Sequence, residues 1–127
     1  ADQYRIQGIG ILGSAIRSSR PEEALPLFET ALALIRRYWP HEEGGILVVQ
    51  TNLGICLNDL GRHDEALVLE RAIYAKEVAL RGVTHRKTIL SGSNVANTLL
   101  TLKLFDEANT LLHDQLLPVA RRSLGPD

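Results

Sequence analysis

The residue types that most often carry chemistry are widely scattered along this chain. The histidines His41, His63, His85 and His113 are separated by 22, 22 and 28 residues, whereas paired metal ligands on one helix stand three or four residues apart. Ser, His and Asp residues occur in no recognisable nucleophile motif, and a triad is recognised by its geometry. These spacings predict no catalytic residues, no metal and no cofactor.

One glycine motif matches a dinucleotide-binding fingerprint by its letters alone. Gly8-Ile9-Gly10-Ile11-Leu12-Gly13 reads GxGxxG, but that fingerprint requires a preceding strand, a following helix and an acid about 20 residues further on. Too few residues precede Gly8 for a strand, and the residue 20 positions beyond Gly13 is Ala33. We interpret the segment as a helix with small residues on its contact face, weakened by glycine.

Composition excludes several classes of protein. The chain has 127 residues, 45% hydrophobic and 23% charged, with a net charge of −1, so it lacks the basic excess of a nucleic-acid-binding domain. No apolar run is long enough to span a membrane. Cys56, the single cysteine, cannot form an internal disulfide and lies among apolar residues, which predicts a buried, inert thiol and fits a cytoplasmic location.

An internal repeat is the main sequence signal. Glu23-Ala24-Leu25 recurs as Glu65-Ala66-Leu67, and Glu107-Ala108 follows at the same 42-residue step. The same offset aligns other residues of the second and third copies: Asn52 with Asn94, Leu57 with Leu99, Leu60 with Leu102, Asp64 with Asp106, and Leu69 with Leu111. Such a period is typical of repeat proteins. It predicts repeats at about 4–38, 45–81 and 87–124 within a single domain, 1–127.

Each copy is predicted to form two helices. In the second copy, Leu53, Leu57 and Leu60 have the spacing of one buried helical face, and Gly61-Arg62-His63 then interrupts it. Asp64 stands where an N-cap or first-turn acid belongs, and Arg81-Gly82 marks the end of the second helix. No strand pattern competes, so the predicted fold class is all-α.

Two further boundaries are predicted for the third copy. Its turn is expected at Leu104-Phe105-Asp106. Pro118 lies inside its second helix and should kink or end that helix, because proline lacks the backbone donor.

These residues resemble the tetratricopeptide repeat (TPR), and the 42-residue period resembles its kinesin light chain type. The resemblance is carried by Leu53-Gly54 with Leu57, by Gly61 to Ala66, by Glu23 to Leu32, and by Leu124 to Asp127, which resembles an inter-repeat linker. It implies an α-solenoid of about three antiparallel helix-turn-helix hairpins in a right-handed superhelix. It also implies a non-enzymatic module that binds a protein or peptide.

By the same resemblance, the first helices of the hairpins line a concave groove. Asn52 and Asn94 would be equivalent there, and an amide could clamp an extended peptide backbone; alternatively, these amides bond the adjacent helix or face water. The neighbouring candidates are Thr51, Ile55, Asp59, Ser93, Asn97 and Thr101. The lysines with which some relatives grip a C-terminal carboxylate are missing.

A structural role through self-association is the alternative function. The second helix of the third copy contains Leu111, Leu112, Leu116, Leu117 and Val119, and terminal repeats normally need a polar outer face. These residues could support a homo-oligomer.

Overall fold

A computed structural model describes residues 2–123 of the chain. Those residues form helices and turns and contain no strand. The elements are α1 (Asp2–Ile16), α2 (Pro21–Tyr38), α3 (Glu43–Asp59), α4 (His63–Arg81), α5 (Arg86–Thr101), α6 (Phe105–Thr110), a π-helical segment (Leu111–Leu116) and α7 (Leu117–Ser123). The linker-like residues Leu124 to Asp127 lie outside this described part.

The helix boundaries repeat with the sequence period. The second helices of the three copies begin at Pro21, His63 and Phe105, which are 42 residues apart. The all-α prediction is therefore confirmed at the level of elements. The described residues form two compact units, unit 1 up to Arg62 and unit 2 from His63, and the prediction of one domain over 1–127 stays a prediction.

Unit 1 contains α1, α2 and α3, with the ring of Phe28 fully buried. Gly13 allows α1 to lie against that ring, since a Cβ atom there would be 2.9 Å from Phe28 Cε1. The turn between these two helices covers residues 17–20, because α1 ends at Ile16 and α2 begins at Pro21. Proline suits the first helical position, where no backbone donor is needed.

Unit 2 contains α4 to α7 around one apolar cluster. Its buried members are Leu67, Val95, Ala96, Leu99, Ala108, Leu111 and Leu116. Helix α4 has Asp64 and Glu65 in its first turn, where acids complement the helix dipole. Gly82 follows α4 with φ +84°, which confirms the predicted glycine end.

The third turn lies earlier than predicted. Helix α5 ends at Thr101, and Phe105 and Asp106 already belong to the first turn of α6. The reason is Lys103, which adopts a left-handed backbone with φ 62°. Such a residue ends a helix, but glycine is its usual sequence signal.

The helix of the third copy does not end at Pro118. The preceding residues Leu111–Leu116 are π-helical, and the Leu117 N–H donates to the Leu112 carbonyl rather than to the residue four positions back. Pro118 is then the second residue of α7, which continues to Ser123. Inserted π-helical turns are a known way to accommodate such an interruption.

Candidate functional site

The candidates of the second copy lie on α3, and two of them are bonded within unit 1. Thr51 Oγ1 donates to the Leu47 carbonyl at 2.8 Å. The Asn52 amide accepts from Arg17 Nη1 and donates to the Val48 carbonyl at 3.2 Å. The amide is therefore held by a residue near the end of α1, which is the alternative that the sequence left open for it.

The other α3 candidates differ in exposure. Ile55 is half-buried, whereas Asp59 is exposed at the last position of the helix. Since they are three and seven residues beyond Asn52, helical geometry places all three residues near one face. This face combines an oriented amide, an apolar side chain and a carboxylate.

The candidates of the third copy lie on α5. Ser93 Oγ donates to the Ile89 carbonyl and Thr101 Oγ1 to the Asn97 carbonyl, both at 3.0 Å. Asn97 is exposed and Asn94 is half-buried. Among residues 2–123, no side-chain partner is observed for the Asn94 amide.

The two asparagines that the repeat makes equivalent therefore have different surroundings. Asn52 is bonded to Arg17, but Asn94 has no counterpart of that bond within residues 2–123. Helix α3 belongs to unit 1 and α5 to unit 2, and their sharing one groove stays a prediction.

Arg17 is a polar residue that sequence reasoning missed. Its Nη1 binds Asn52, whereas its Nε is buried and has no hydrogen-bond partner among the described residues. Buried polar atoms are nearly always paired. The Arg17 Nε is therefore an unsatisfied hydrogen-bond donor next to the Asn52 amide. A basic residue near a helix end carries no sequence signal for that role.

Cys56 is buried, as predicted. Its thiol donates to the Pro21 carbonyl at 3.1 Å. Burial raises the pKa of the thiol; the Asp59 charge also raises it, whereas Arg17 lowers it. The neutral thiol is favoured, and it is the thiolate that reacts.

The glycine motif lies within a helix, as predicted, but only one of its glycines makes a close contact. A Cβ atom at Gly8 or Gly10 would meet no heavy atom within 4 Å, whereas at Gly13 it would meet Phe28. The interpretation that small residues form the contact face is therefore wrong for Gly8 and Gly10. No strand precedes the motif among the described residues.

Unit 2 contains buried acids that the sequence pattern did not predict. Glu70 accepts a hydrogen bond from Thr98 Oγ1 at 2.5 Å, and Glu77 pairs with Arg81 at 2.8 Å. Thr88 Oγ1 also donates to the Glu77 carbonyl at 3.3 Å. Buried carboxylates are nearly always paired, and both of these are. The bond of Glu70 to Thr98 links α4 to α5, and the ion pair of Glu77 with Arg81 lies within the last turn of α4.

The described part of the chain has neither a cluster of metal ligands nor a helix that could span a membrane. No group of three or more His, Cys, Asp or Glu side chains there could hold a metal ion. His85 instead caps α5, accepting from the Lys87 N–H at 3.0 Å. None of the described helices combines the length and the apolar character needed to cross a membrane.

Solved structures share this fold. Two crystal structures from Podosopora anserina, of a kinesin light chain-like protein with nearly identical TPR-like repeats and of its variant, each match with a TM-score of 0.81. Each covers 96% of this chain at 20% identity, and this chain spans 57% of that protein's length. No protein-family model and no curated protein matches the chain.

The likeness confirms the predicted fold. The chain has the TPR-like fold of the kinesin light chain type, an all-α solenoid class. At 20% identity the match concerns the fold alone.

Proposed function

We propose that this chain is a non-enzymatic interaction module that binds a peptide segment or partner protein along the polar faces of α3 and α5. The observation that carries the proposal is Asn94, a half-buried amide with no side-chain partner among the described residues. An amide offers two donors and an acceptor, and a partly desolvated amide gains from an added partner. An extended peptide backbone supplies both complementary groups.

On α5, the polar side chains would act together with Asn94. Asn97 is exposed, and Thr101 lies one helical turn further on. The Ser93 and Thr101 hydroxyl protons are used by carbonyls of their own helix, but each oxygen still has acceptor capacity. This pattern suits the backbone N–H groups of a ligand.

On α3, Arg17 would orient the Asn52 amide before a ligand arrives. Orienting a group in advance reduces the entropy lost on binding. Ile55 would add apolar contact and Asp59 a negative charge, next to the satisfied hydroxyl of Thr51. The expected ligand is therefore a peptide held mainly by its backbone, with few side-chain requirements.

The test begins with an array of random ten-residue peptides screened against the full chain, and the strongest binder is then titrated calorimetrically. Asn94→Ala should weaken that binding about 3- to 10-fold, equivalent to roughly 1 kcal/mol for one lost hydrogen bond. Asn109→Ala is the matched control, because Asn109 is an exposed asparagine on α6. It should leave binding unchanged.

Asn52 requires a separate control because its amide also has a structural partner. Arg17→Gln removes the guanidinium but keeps Asn52, so it separates loss of orientation from loss of contact. Asn52→Ala should weaken binding more than Arg17→Gln does. Unchanged binding in the Asn52→Ala, Asn94→Ala double variant would refute the proposed surface.

Self-association is a weaker alternative given the packing of the last helix. Leu111, Leu116 and Val119 are buried, and Leu117 remains 38% exposed. Less apolar surface is therefore available for a second copy than the sequence pattern alone indicates. A mass in light scattering that rises with concentration, and that Leu117→Glu returns to the monomer value, would favour this alternative.

The proposed setting is the cytoplasm. Cys56 is a free, buried thiol, and unpaired cysteines are ordinary in reducing compartments.

A further inference from the structure

Unit 2 contains a cavity of about 400 Å³ that the proposed peptide surface does not use. Three apolar residues from two elements contribute to its walls: Val95 and Leu99 of α5, and Leu111 of the π-helical segment. Polar residues also line it, namely Arg71, Tyr74, Asp106, Glu107, Thr110 and Gln115. This volume falls within the range of small-molecule sites, which combine apolar walls with a few polar groups.

Packing around Gly92 positions the aromatic wall of this cavity. A Cβ atom at Gly92 would be 2.6 Å from Leu116 Cδ2 and 3.0 Å from Tyr74 Cε1. The absence of that atom lets both side chains lie against α5. The Tyr74 hydroxyl then donates to Gln115 Oε1 at 3.4 Å, which joins α4 to the π-helical segment beside the cavity.

The π-helical segment is a second unusual feature of the same wall. It contributes Leu111 and Gln115 to the lining. Single π-helical turns are rare and are found frequently at functional sites. Here the segment brings an apolar residue and an amide to one cavity.

The charges of the lining favour a cation. Arg71 Nη2 pairs with Glu107 Oε2 at 2.7 Å, so these two charges compensate each other. Asp106 is exposed and forms no ion pair with another described residue. The cavity therefore has one excess negative charge next to apolar walls and a tyrosine ring.

We propose that this cavity binds an organic cation with an apolar body, whose charged end pairs with Asp106 while its body contacts Tyr74, Leu99 and Leu111. Planar amidinium and guanidinium groups suit this arrangement, because they can form two parallel hydrogen bonds with one carboxylate. The aromatic ring adds a favourable surface for a cation. The ligand is either a free small molecule or an arginine side chain of a partner, which share this chemistry.

The test uses three probes of nearly equal shape that differ in charge: benzamidine, benzamide and benzoate. Each is titrated into the full chain and followed by amide ¹H–¹⁵N NMR. Benzamidine should shift the signals of Tyr74, Leu99, Thr110 and Gln115 and bind at least threefold more tightly than benzamide, and benzoate should bind more weakly still. Equal binding of the three probes, or tightest binding of benzoate, would overturn the proposal.

Two matched variants assign the charge preference. Asp106→Asn should reduce benzamidine affinity about 3- to 10-fold and leave benzamide affinity unchanged. Asp64 is the first-turn acid of α4 at the equivalent repeat position and does not line the cavity, so Asp64→Asn should leave both affinities unchanged. Equal losses in the two variants would mean that overall charge, rather than this cavity, attracts the probe.

A third variant blocks the site with its own cation. Thr110 lines the cavity four residues after Asp106, a spacing at which opposite charges pair on a helix. Thr110→Arg should abolish the benzamidine shifts, whereas Thr110→Gln should retain them. Retained shifts in the Thr110→Arg variant would contradict the assigned position.

A further pair of probes distinguishes the two sources of the ligand. N-acetyl-leucyl-arginine amide is compared with its uncharged citrulline counterpart in the same titration. Tighter binding of the arginine compound than of benzamidine assigns the site to a partner's side chain, and the reverse order assigns it to a free small molecule. Failure of all cationic probes to shift the cavity signals would refute the inference while leaving the Asn94 surface untouched.

Discussion

At the residue scale, Lys103 adopts after α5 the left-handed backbone that Gly61 adopts after α3, with φ 62° and 76° respectively. The hydrogen bonds are also equivalent. Lys103 N–H donates to the Leu100 carbonyl at 3.0 Å, as Gly61 N–H does to Asn58 at 3.0 Å. A side chain in this conformation costs about 1–2 kcal/mol, and that strain is stored at one end of α5.

Replacing this lysine should therefore stabilise the protein. Lys103→Gly removes the strain but adds freedom to the unfolded chain, so we expect a net gain of about 0.5 kcal/mol in the free energy of unfolding. Gly61→Ala introduces the same strain and should cost about 1 kcal/mol. Urea denaturation measures both, and a loss of stability in Lys103→Gly would show that its side chain makes a compensating contact.

Cys56 provides a prediction about reactivity and pH. Because burial raises the pKa of its thiol, iodoacetamide should alkylate the folded protein at pH 8 at least tenfold more slowly than the urea-unfolded chain. Mass spectrometry measures the reaction at this single cysteine. Equal rates in the folded and unfolded states would mean that the thiol is accessible.

The same shift has a defined sign for stability. A folded-state pKa above the unfolded value means that the folded state retains the thiol proton more strongly. The contribution of the protonated Cys56 thiol to the free energy of unfolding is fully present below the unfolded-state pKa, about 8.5. It is lost as the pH rises through the folded-state pKa. The free energy of unfolding should therefore fall above pH 8.5, and less so in Cys56→Ala.

At the element scale, α1 shows three glycines with different surroundings. Gly8 and Gly10 have open space where a Cβ atom would lie, whereas Gly13 faces the buried ring of Phe28. The helix propensity of glycine is equally unfavourable at all three positions. Only packing distinguishes them.

This difference predicts opposite effects of one substitution. Gly8→Ala and Gly10→Ala should each raise the free energy of unfolding by about 0.5–1 kcal/mol through helix propensity. Gly13→Ala should lower it by about 1–2 kcal/mol, because the rigid ring must move. The three variants are compared by thermal denaturation, and stabilisation by Gly13→Ala would contradict the packing described here.

The helices themselves were largely predictable, and the exceptions have physical causes. The apolar spacing in α3 and the acids after its turn are local signals. They predicted a helix beginning near Asp64, and α4 begins at His63, which the sequence pattern had placed in the turn. The start of α6 was predicted too late, because a lysine gives no sequence signal for the left-handed backbone that Lys103 adopts. The π-helical segment was not predictable either, since nothing in Leu111 to Leu116 indicates a wider turn.

At the whole-molecule scale, the 42-residue period predicted a repeat of helix pairs, and the resemblance of its motifs to known repeats predicted the TPR-like fold. The period reflects what the copies have in common, which is the pair of helices in each. Function at Asn52 and Asn94 depends instead on what differs between copies. Arg17 bonds one asparagine across 35 residues of sequence, and no local pattern predicts such a tertiary partner.

The buried acids illustrate the same limit. Glu70 lies at a position where the period predicts only a helix, yet it is 5% exposed and bonded to Thr98, 28 residues away. A carboxylate is normally assigned to the surface from sequence alone. The cavity beside Asp106 likewise combines residues that are far apart in the sequence, from Arg71 to Gln115.

The fluorescence of Trp39 reports on unit 1 alone, because this residue lies in that unit. Trp39 is the single tryptophan, and it lines a small cavity of about 260 Å³ with Ile6 and Ile35, all within unit 1. Selective excitation of indole therefore follows the melting of unit 1 without any label, while far-ultraviolet dichroism follows every helix. Superimposable curves from the two signals would identify residues 1–127 as one cooperative domain, and separated curves would identify two.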